Sequence, residues 1–322
     1  MLGTPAFFDL SENQTRQYID AETVYRAWRQ ARKDAAEVRG SMLWREVSGK
    51  RYLIRTSPRS AQKSLGPEST ATQQIFEKFM ARKTTAESRL ASLKAELATQ
   101  VRLCRALRVG RIPSVMLRIL NVLEDASVGL HFMVIGTHAL YAYETAAGVR
   151  IQESAMATRD VDLLFDTRQR LAFTATIEKT DSSLLSLLRK ADPTFDMVPL
   201  EKCTLRNDKG FEVDVVRRMA GHSDPHPLRM RSDEDDIWPV QVSTGESLLS
   251  ARKFEQLVVS VSGEMAVMRT VHPLDFVRIK RRLAKMPQRD SLKRGKDLLQ
   301  ADFVEQLVKE RLLPLVEDDK TS

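Results

Sequence analysis

Apolar and polar positions change period several times along the chain, and each change marks an element. Val24, Trp28, Ala31 and Ala35 recur at helical spacing and predict a helix over 20–38, stopped at Gly40. Leu43, Trp44, Tyr52, Leu53 and Ile54 flank Ser48-Gly49 and predict a hairpin over 42–55. The stretch RTSPRSAQKSLGPEST that follows is rich in Ser, Pro and Gly and carries Arg55, Arg59 and Lys63. It predicts a solvated loop, or a basic loop turned toward a substrate on a rigid base. From Ser69 or Thr70 a long helix runs to about Val109, ended by Gly110 and Pro113. Phe76, Phe79, Ala86, Leu90, Leu93, Leu97, Cys104 and Leu107 form its apolar seam, broken by Lys83 and Gln100. Such a seam packs along its own domain or joins two copies in a homodimer. A further helix is expected over 114–126.

The central stretch changes character. Phe132 to Ile135 is an apolar run between Gly129 and Gly136, as in a buried strand, and Gly136-Thr137 then turns the chain into a helix. Asp160-Val161-Asp162-Leu163-Leu164-Phe165 alternates, so Asp160 and Asp162 share one face while Val161 and Leu163 share the other. One or two helices over 168–190 and short strands over 195–200 and 203–206 lead to a tight turn at 207–210. A third acid, Asp214, lies among β-branched residues in the strand 211–216. A second hairpin is expected over 253–271, turning at Ser262-Gly263-Glu264, and His272-Pro273 opens a helix. Nearly every charge between Ile279 and Lys296 is basic, with Asp290 the exception, which reads as a polyanion footprint or a solvated face.

These residues carry chemistry. Backbone N–H groups left free at the Gly136-Thr137 corner, together with a helix dipole, form a phosphate cradle. Adjacent carboxylates repel and call for a compensating divalent cation. Three carboxylates beside a phosphate cradle are what two-metal phosphoryl transfer requires. Glu212 shares the face of Asp214 and reads as a solvent-facing edge residue or an outer ligand. His222, Asp224 and His226 lie in a Pro-rich segment whose spacing fits no zinc pattern.

The order of an apolar strand, Gly136-Thr137, Asp160-Val161-Asp162 and then Val213-Asp214-Val215 resembles the nucleotidyltransferase-fold superfamily, the DNA polymerase β-like group. The likeness covers about residues 120–220 and is similar to uncharacterised bacterial branches, some of which are toxins of toxin–antitoxin pairs. It implies an α+β fold, a nucleotidyltransferase-like mixed β-sheet core with flanking helices. It also implies two Mg²⁺ ions on Asp160, Asp162 and Asp214, and an NTP such as ATP on Gly136 and Thr137. By position, Lys280 matches the lysine that such enzymes place near the triphosphate, with Lys296 and Asp297 as a second basic–acid pair. Two departures stand out: Thr137 occupies a Gly or Ser position, and the gap from Gly136 to Asp160 is about twice the usual length. A longer helix and loop are expected to fill it.

Composition narrows the partners. A net charge of +8 favours a polyanion, hence RNA or tRNA beside the triphosphate. With aromatics at 6%, stacking on single-stranded bases is disfavoured. Two unpaired cysteines argue against a disulfide framework. The first residues lack signal-peptide character and no run is long enough to span a membrane, so a cytoplasmic protein is expected. Four segments follow: 1–68 helix, hairpin and basic loop; 69–126 long helix; 127–220 core; 221–322 hairpin and basic helices. The expected activity is NMP transfer to an acceptor hydroxyl on RNA, on a small molecule or on a protein, with an antitoxin as a further partner. The alternative is an inactive module of the same fold that binds RNA or a protein, its acids paired with Arg159, Arg217 and Arg218.

Overall fold

The computed structural model describes residues 7–312, apart from 59, 157, 181, 223 and 231–236. Arg59, the acidic stretch 233–236 and the tail after Pro314 therefore lie outside the described residues. The chain forms two compact units, Met1–Thr15 with Arg108–Ser322, and Arg16–Leu107.

A short strand β1 (Phe7–Asp9) precedes helix α1 (Glu12–Glu37), which starts eight residues before its apolar periodicity does. Its first turns are polar, so the pattern could not mark them. Strands β2 (Ser41–Val47) and β3 (Lys50–Thr56) form the expected hairpin. Ser48 and Gly49 both have positive φ (50° and 74°), the backbone that a two-residue hairpin turn needs. The loop expected next is corrected in part. Gln62–Pro67 is a third strand, β4, antiparallel to β3. Helix α2 (Thr70–Ala106) then starts from a capping box in which Ser69 and Thr72 bond each other's backbone N–H. Part of the seam of α2 is used within its own unit. Phe76 packs on Trp44, Phe79 lies under Arg55, and Gln100 accepts from Gln17 of α1 at 2.6 Å. Lys83, one of the residues that break the seam, donates to the Gly40 carbonyl at 2.6 Å.

The other unit is built on a mixed sheet. After α3 (Ser114–Asp125) come β5 (Phe132–Ile135), a single 3-10 turn over Gly136–Ala139 and α4 (Leu140–Ala147). The long gap before the Asp-x-Asp strand holds β6 (Val149–Ile151) and α5 (Glu153–Met156), so it contains a strand as well as helix and loop. β6 pairs with β1. The core continues through β7 (Asp160–Phe165), α6 (Arg170–Thr180), α7 (Leu184–Ala191), β8 (Asp196–Val198), β9 (Glu201–Arg206), β10 (Glu212–Arg217) and the short β11 (Val240–Gln241). Sheet order is β5-β7-β10-β9-β8, with β11 beside β10. β7 and β10 run parallel, which the α6–α7 crossover makes possible, and β5 and β9 are antiparallel to them.

Helix α8 (Gly245–Ser250) leads to the hairpin β12 (Lys253–Val259) and β13 (Met265–Val271), then to α9 (Pro273–Ala284) and α10 (Ser291–Arg311). Tyr143 of α4 is fully buried against Phe254 and Phe276 and donates to the Val271 carbonyl at 2.7 Å, fastening the hairpin to the core. Val161, Leu163, Val213 and Val215 are buried on one side of the sheet, as alternation requires. That burial fixes the register, and with it the side to which the intervening acids point. The fold is α+β, a mixed sheet flanked by helices, as the family resemblance implied.

Candidate active site

The three predicted acids come together because β7 and β10 are neighbours in register. Asp162 pairs with Asp214 across the parallel ladder, and Asp160 pairs with Glu212. Positions paired in this way point to one side of the sheet, so the three carboxylates share a face. They line a cleft of about 550 Å³ together with Gly136, Thr137 and Lys280. Six candidate residues from four separate stretches thus border one cavity.

Gly136 has φ of +69°, a conformation favourable to glycine, and it lies against the acids. A Cβ there would meet Asp162 Oδ2 at 2.5 Å. The bare Cα lets the carboxylate approach the corner, and any larger residue would displace it. Thr137 does not have its hydroxyl to itself. Gln300 of α10 is fully buried and donates through Nε2 to Thr137 Oγ1 at 3.1 Å and to the Ala155 carbonyl at 2.7 Å. This glutamine ties the corner to α5, and no local pattern in the sequence could have marked it.

Each acid sits in a different environment. Burial pushes Asp162 up to about 7, and Asp160 and Asp214 add to the shift; Lys280 and Lys293 only partly oppose it. Asp214 is also raised by burial, against a 2.6 Å hydrogen bond from Thr204 Oγ1. Asp160 stands at the exposed start of its strand. Desolvation there is outweighed by hydrogen bonds from Thr158 and from the backbone and by nearby Lys296, which hold it below the usual carboxylate range. His138 itself is pushed down to about 4 by burial, with Asp160 opposing, and so is neutral at pH 7.

The opposite wall is basic. Lys280 of α9, Arg289 and Lys293 and Lys296 of α10 all face the cleft. Lys280 Nζ contacts Asp297 Oδ1 at 2.8 Å, and Arg289 contacts Asp297 Oδ2 at 2.7 Å. Asp297 is therefore the counter-ion of Lys280 and Arg289. Two of the arginines that could have neutralised the acids are engaged elsewhere. Arg217 is buried against the Pro225 carbonyl and His226, while Arg218 pairs with Asp224 at 2.7 Å. Glu212 is held by Arg206 at 2.6 Å, half-buried at the start of an interior strand and not at a sheet edge.

Among the described residues no three His, Cys, Asp or Glu side chains stand as a ready-made metal-ligand group. The hydroxyls of Thr158 and Thr204 bond two of the acids. The donors are nonetheless hard carboxylate oxygens, and one carboxyl is destabilised in its charged form by the other two. That chemistry fits a magnesium-sized divalent cation.

An Asp-x-Asp strand beside a single Asp on its parallel neighbour, facing a glycine corner and a basic helix pair, is the arrangement of a phosphoryl-transfer site. The nucleotidyltransferase family profile matches residues 114–322, and the chain belongs to that family. No curated protein and no solved structure matches the chain. Among the described residues, no helix is long and apolar enough to cross a membrane.

Proposed function

We propose that the protein transfers an NMP from an NTP to an acceptor hydroxyl at the cleft bordered by Asp160, Asp162 and Asp214. The observation that carries this reading is the convergence of those acids with Gly136, Thr137 and Lys280 on one cavity. Asp160 and Asp162 would hold one Mg²⁺ and, with Asp214, a second; when bound, such ions neutralise phosphate charge and acidify the attacking hydroxyl. The N–H groups of the Gly136-Thr137 corner orient the phosphates, and Lys280 with Lys293 and Lys296 balances their charge. The acceptor oxygen bonds to the α-phosphorus, its proton leaves, the α–β phosphoanhydride bond breaks and pyrophosphate departs. Positioning and charge balance supply most of the rate.

The acceptor class that the basic helices favour is RNA, such as a tRNA end. A toxin-like role with an antitoxin partner, a homodimer through α2, ATP as donor and a cytoplasmic setting complete the reading. The free cysteines, Cys104 and Cys203, suit a reducing compartment. Because two of the acids rest on threonine hydroxyls, an inactive module that binds RNA is the competing reading.

Thermal unfolding separates the two. At about 100 times its Kd, Mg²⁺·ATP stabilises a specific site by about 2.7 kcal/mol. The expected result is a raised Tm in the wild type, no shift in Asp160→Ala, and loss of labelled-NMP transfer by several orders of magnitude in that variant and in Asp214→Ala. Wild-type transfer by either variant rules out the assignment.

A further inference from the structure

Helix α9 separates two cavities. Phe276, Ile279, Lys280 and Leu283 face the catalytic cleft. Asp275, Arg278, Ile279 and Arg282 have the same helical spacing one residue back, so they present an adjacent face, and they line a second groove of about 470 Å³. Its other wall comes from α8 and the residues after it, with Ser247, Ser250 and Arg252. Thr244 and Ile279 border both cavities, so the two share a rim.

The second groove is strongly cationic. Arg252, Arg278 and Arg282 line it against one carboxylate, Asp275. That acid is buried and already shared, receiving Arg252 Nη2 at 3.1 Å and Arg278. Arg282 reaches across to Ser247 Oγ at 3.3 Å, so guanidinium and hydroxyl donors converge from both walls. No aromatic side chain is among the residues that line the groove. Forked guanidinium donors beside hydroxyls suit phosphodiester oxygens, and without a stacking surface the contact is with backbone and not with bases.

We infer that this groove holds the sugar–phosphate backbone of a single-stranded RNA acceptor and delivers its terminal hydroxyl over the Thr244–Ile279 rim to the acids. The inference rests on the nucleotidyl-transfer reading for what happens at the rim, but RNA binding in the groove can be measured separately. An acceptor with no phosphate would leave the groove's excess positive charge, three arginines against one aspartate, unmatched. This places the acceptor and the triphosphate on adjacent faces of one helix, with their reacting ends meeting at the shared edge.

The test is fluorescence anisotropy of a short labelled single-stranded RNA over a salt series, with wild type and Arg278→Gln/Arg282→Gln. Both residues are exposed, and Arg282→Gln alone serves as a second, milder variant. The double variant is expected to bind at least about tenfold more weakly. Its slope of log K against log salt should be shallower by about 1.4, since each phosphate neutralised on a single strand contributes about 0.7. Its stabilisation by Mg²⁺·ATP should match wild type, which also reports an intact fold. Equal RNA affinity and slope in both proteins overturns the inference, as does a wild type that binds no RNA. A polyglutamate peptide that binds as tightly and is lost equally in the variant overturns it in favour of an acidic protein. If RNA binding is lost in the variant but Mg²⁺·ATP never stabilises even the wild type, the groove assignment stands and the transferase reading fails.

Discussion

Asp162 is where the site's electrostatic conflict is sharpest. Its carboxyl is pushed up to about 7, first by burial and then by Asp160 and Asp214. A group whose folded pKa is raised contributes full stability below its unfolded pKa, near 4, and loses it as pH rises toward 7. Asp162→Asn mimics the neutral form. It should therefore be more stable than wild type at pH 8 without divalent cations, by about 1–4 kcal/mol, while losing transfer activity. In denaturant melts the difference should shrink as pH falls toward 4; a constant difference would show that charge is not its source. The sequence made this residue legible because strand alternation put the two acids of Asp-Val-Asp on one side. Asp214 followed from the β-branched run around it. The groups that tune the acids were not legible in the same way. Thr204 acts from another strand, and Gln300 reaches Thr137 across 163 residues. A polar side chain at such separation leaves no periodic trace.

The elements around the cleft depend on a buried ion pair that no motif announces. Arg111 donates to both oxygens of Glu144, through Nε at 3.0 Å and through Nη2, and Glu144 in turn accepts from the Ile151 N–H at 3.1 Å. The pair ties α4 to β6, in the segment that departs from the family spacing. Arg111→Met leaves a buried carboxylate unpaired and should cost about 3–5 kcal/mol in urea unfolding, with much of the loss recovered in Arg111→Met/Glu144→Gln. Burial already holds Glu144 above its ordinary range, and removing the guanidinium raises it further. The deficit of the single variant should therefore shrink at acid pH, where Glu144 is protonated. Among the elements, long periodic helices and buried strands were readable. β4 was not, because most of its residues are exposed and it ends in Gly66-Pro67, a sequence that an edge strand tolerates and that otherwise signals a loop. β1 and β6, three residues each, are too short to show a period.

At the scale of the molecule, the unit that carries the cleft takes its first strand from before α1 and the remainder from residue 108 onward. The family match begins at 114, so Arg16–Leu107 lies outside it. A fragment beginning at Arg108 should keep the stabilisation by Mg²⁺·ATP. It should also melt several degrees lower, about 2–4 °C for each kcal/mol lost, because β1 no longer pairs with β6 and Phe7 no longer packs on the core. Scanning calorimetry with and without Mg²⁺·ATP checks both parts; a fragment with no ligand shift would mean that residues before Arg108 are needed for binding. The bridge at Asp297 carries one more consequence, for how the cleft is assembled. Drawing Lys280 out of water is unfavourable until α10 docks and brings its counter-charge, so seating that helix and charging the cleft wall form one cooperative event. On the ribosome, a nascent chain that has not yet released residues 291–311 has no poised lysine, and its cleft stays silent until they emerge.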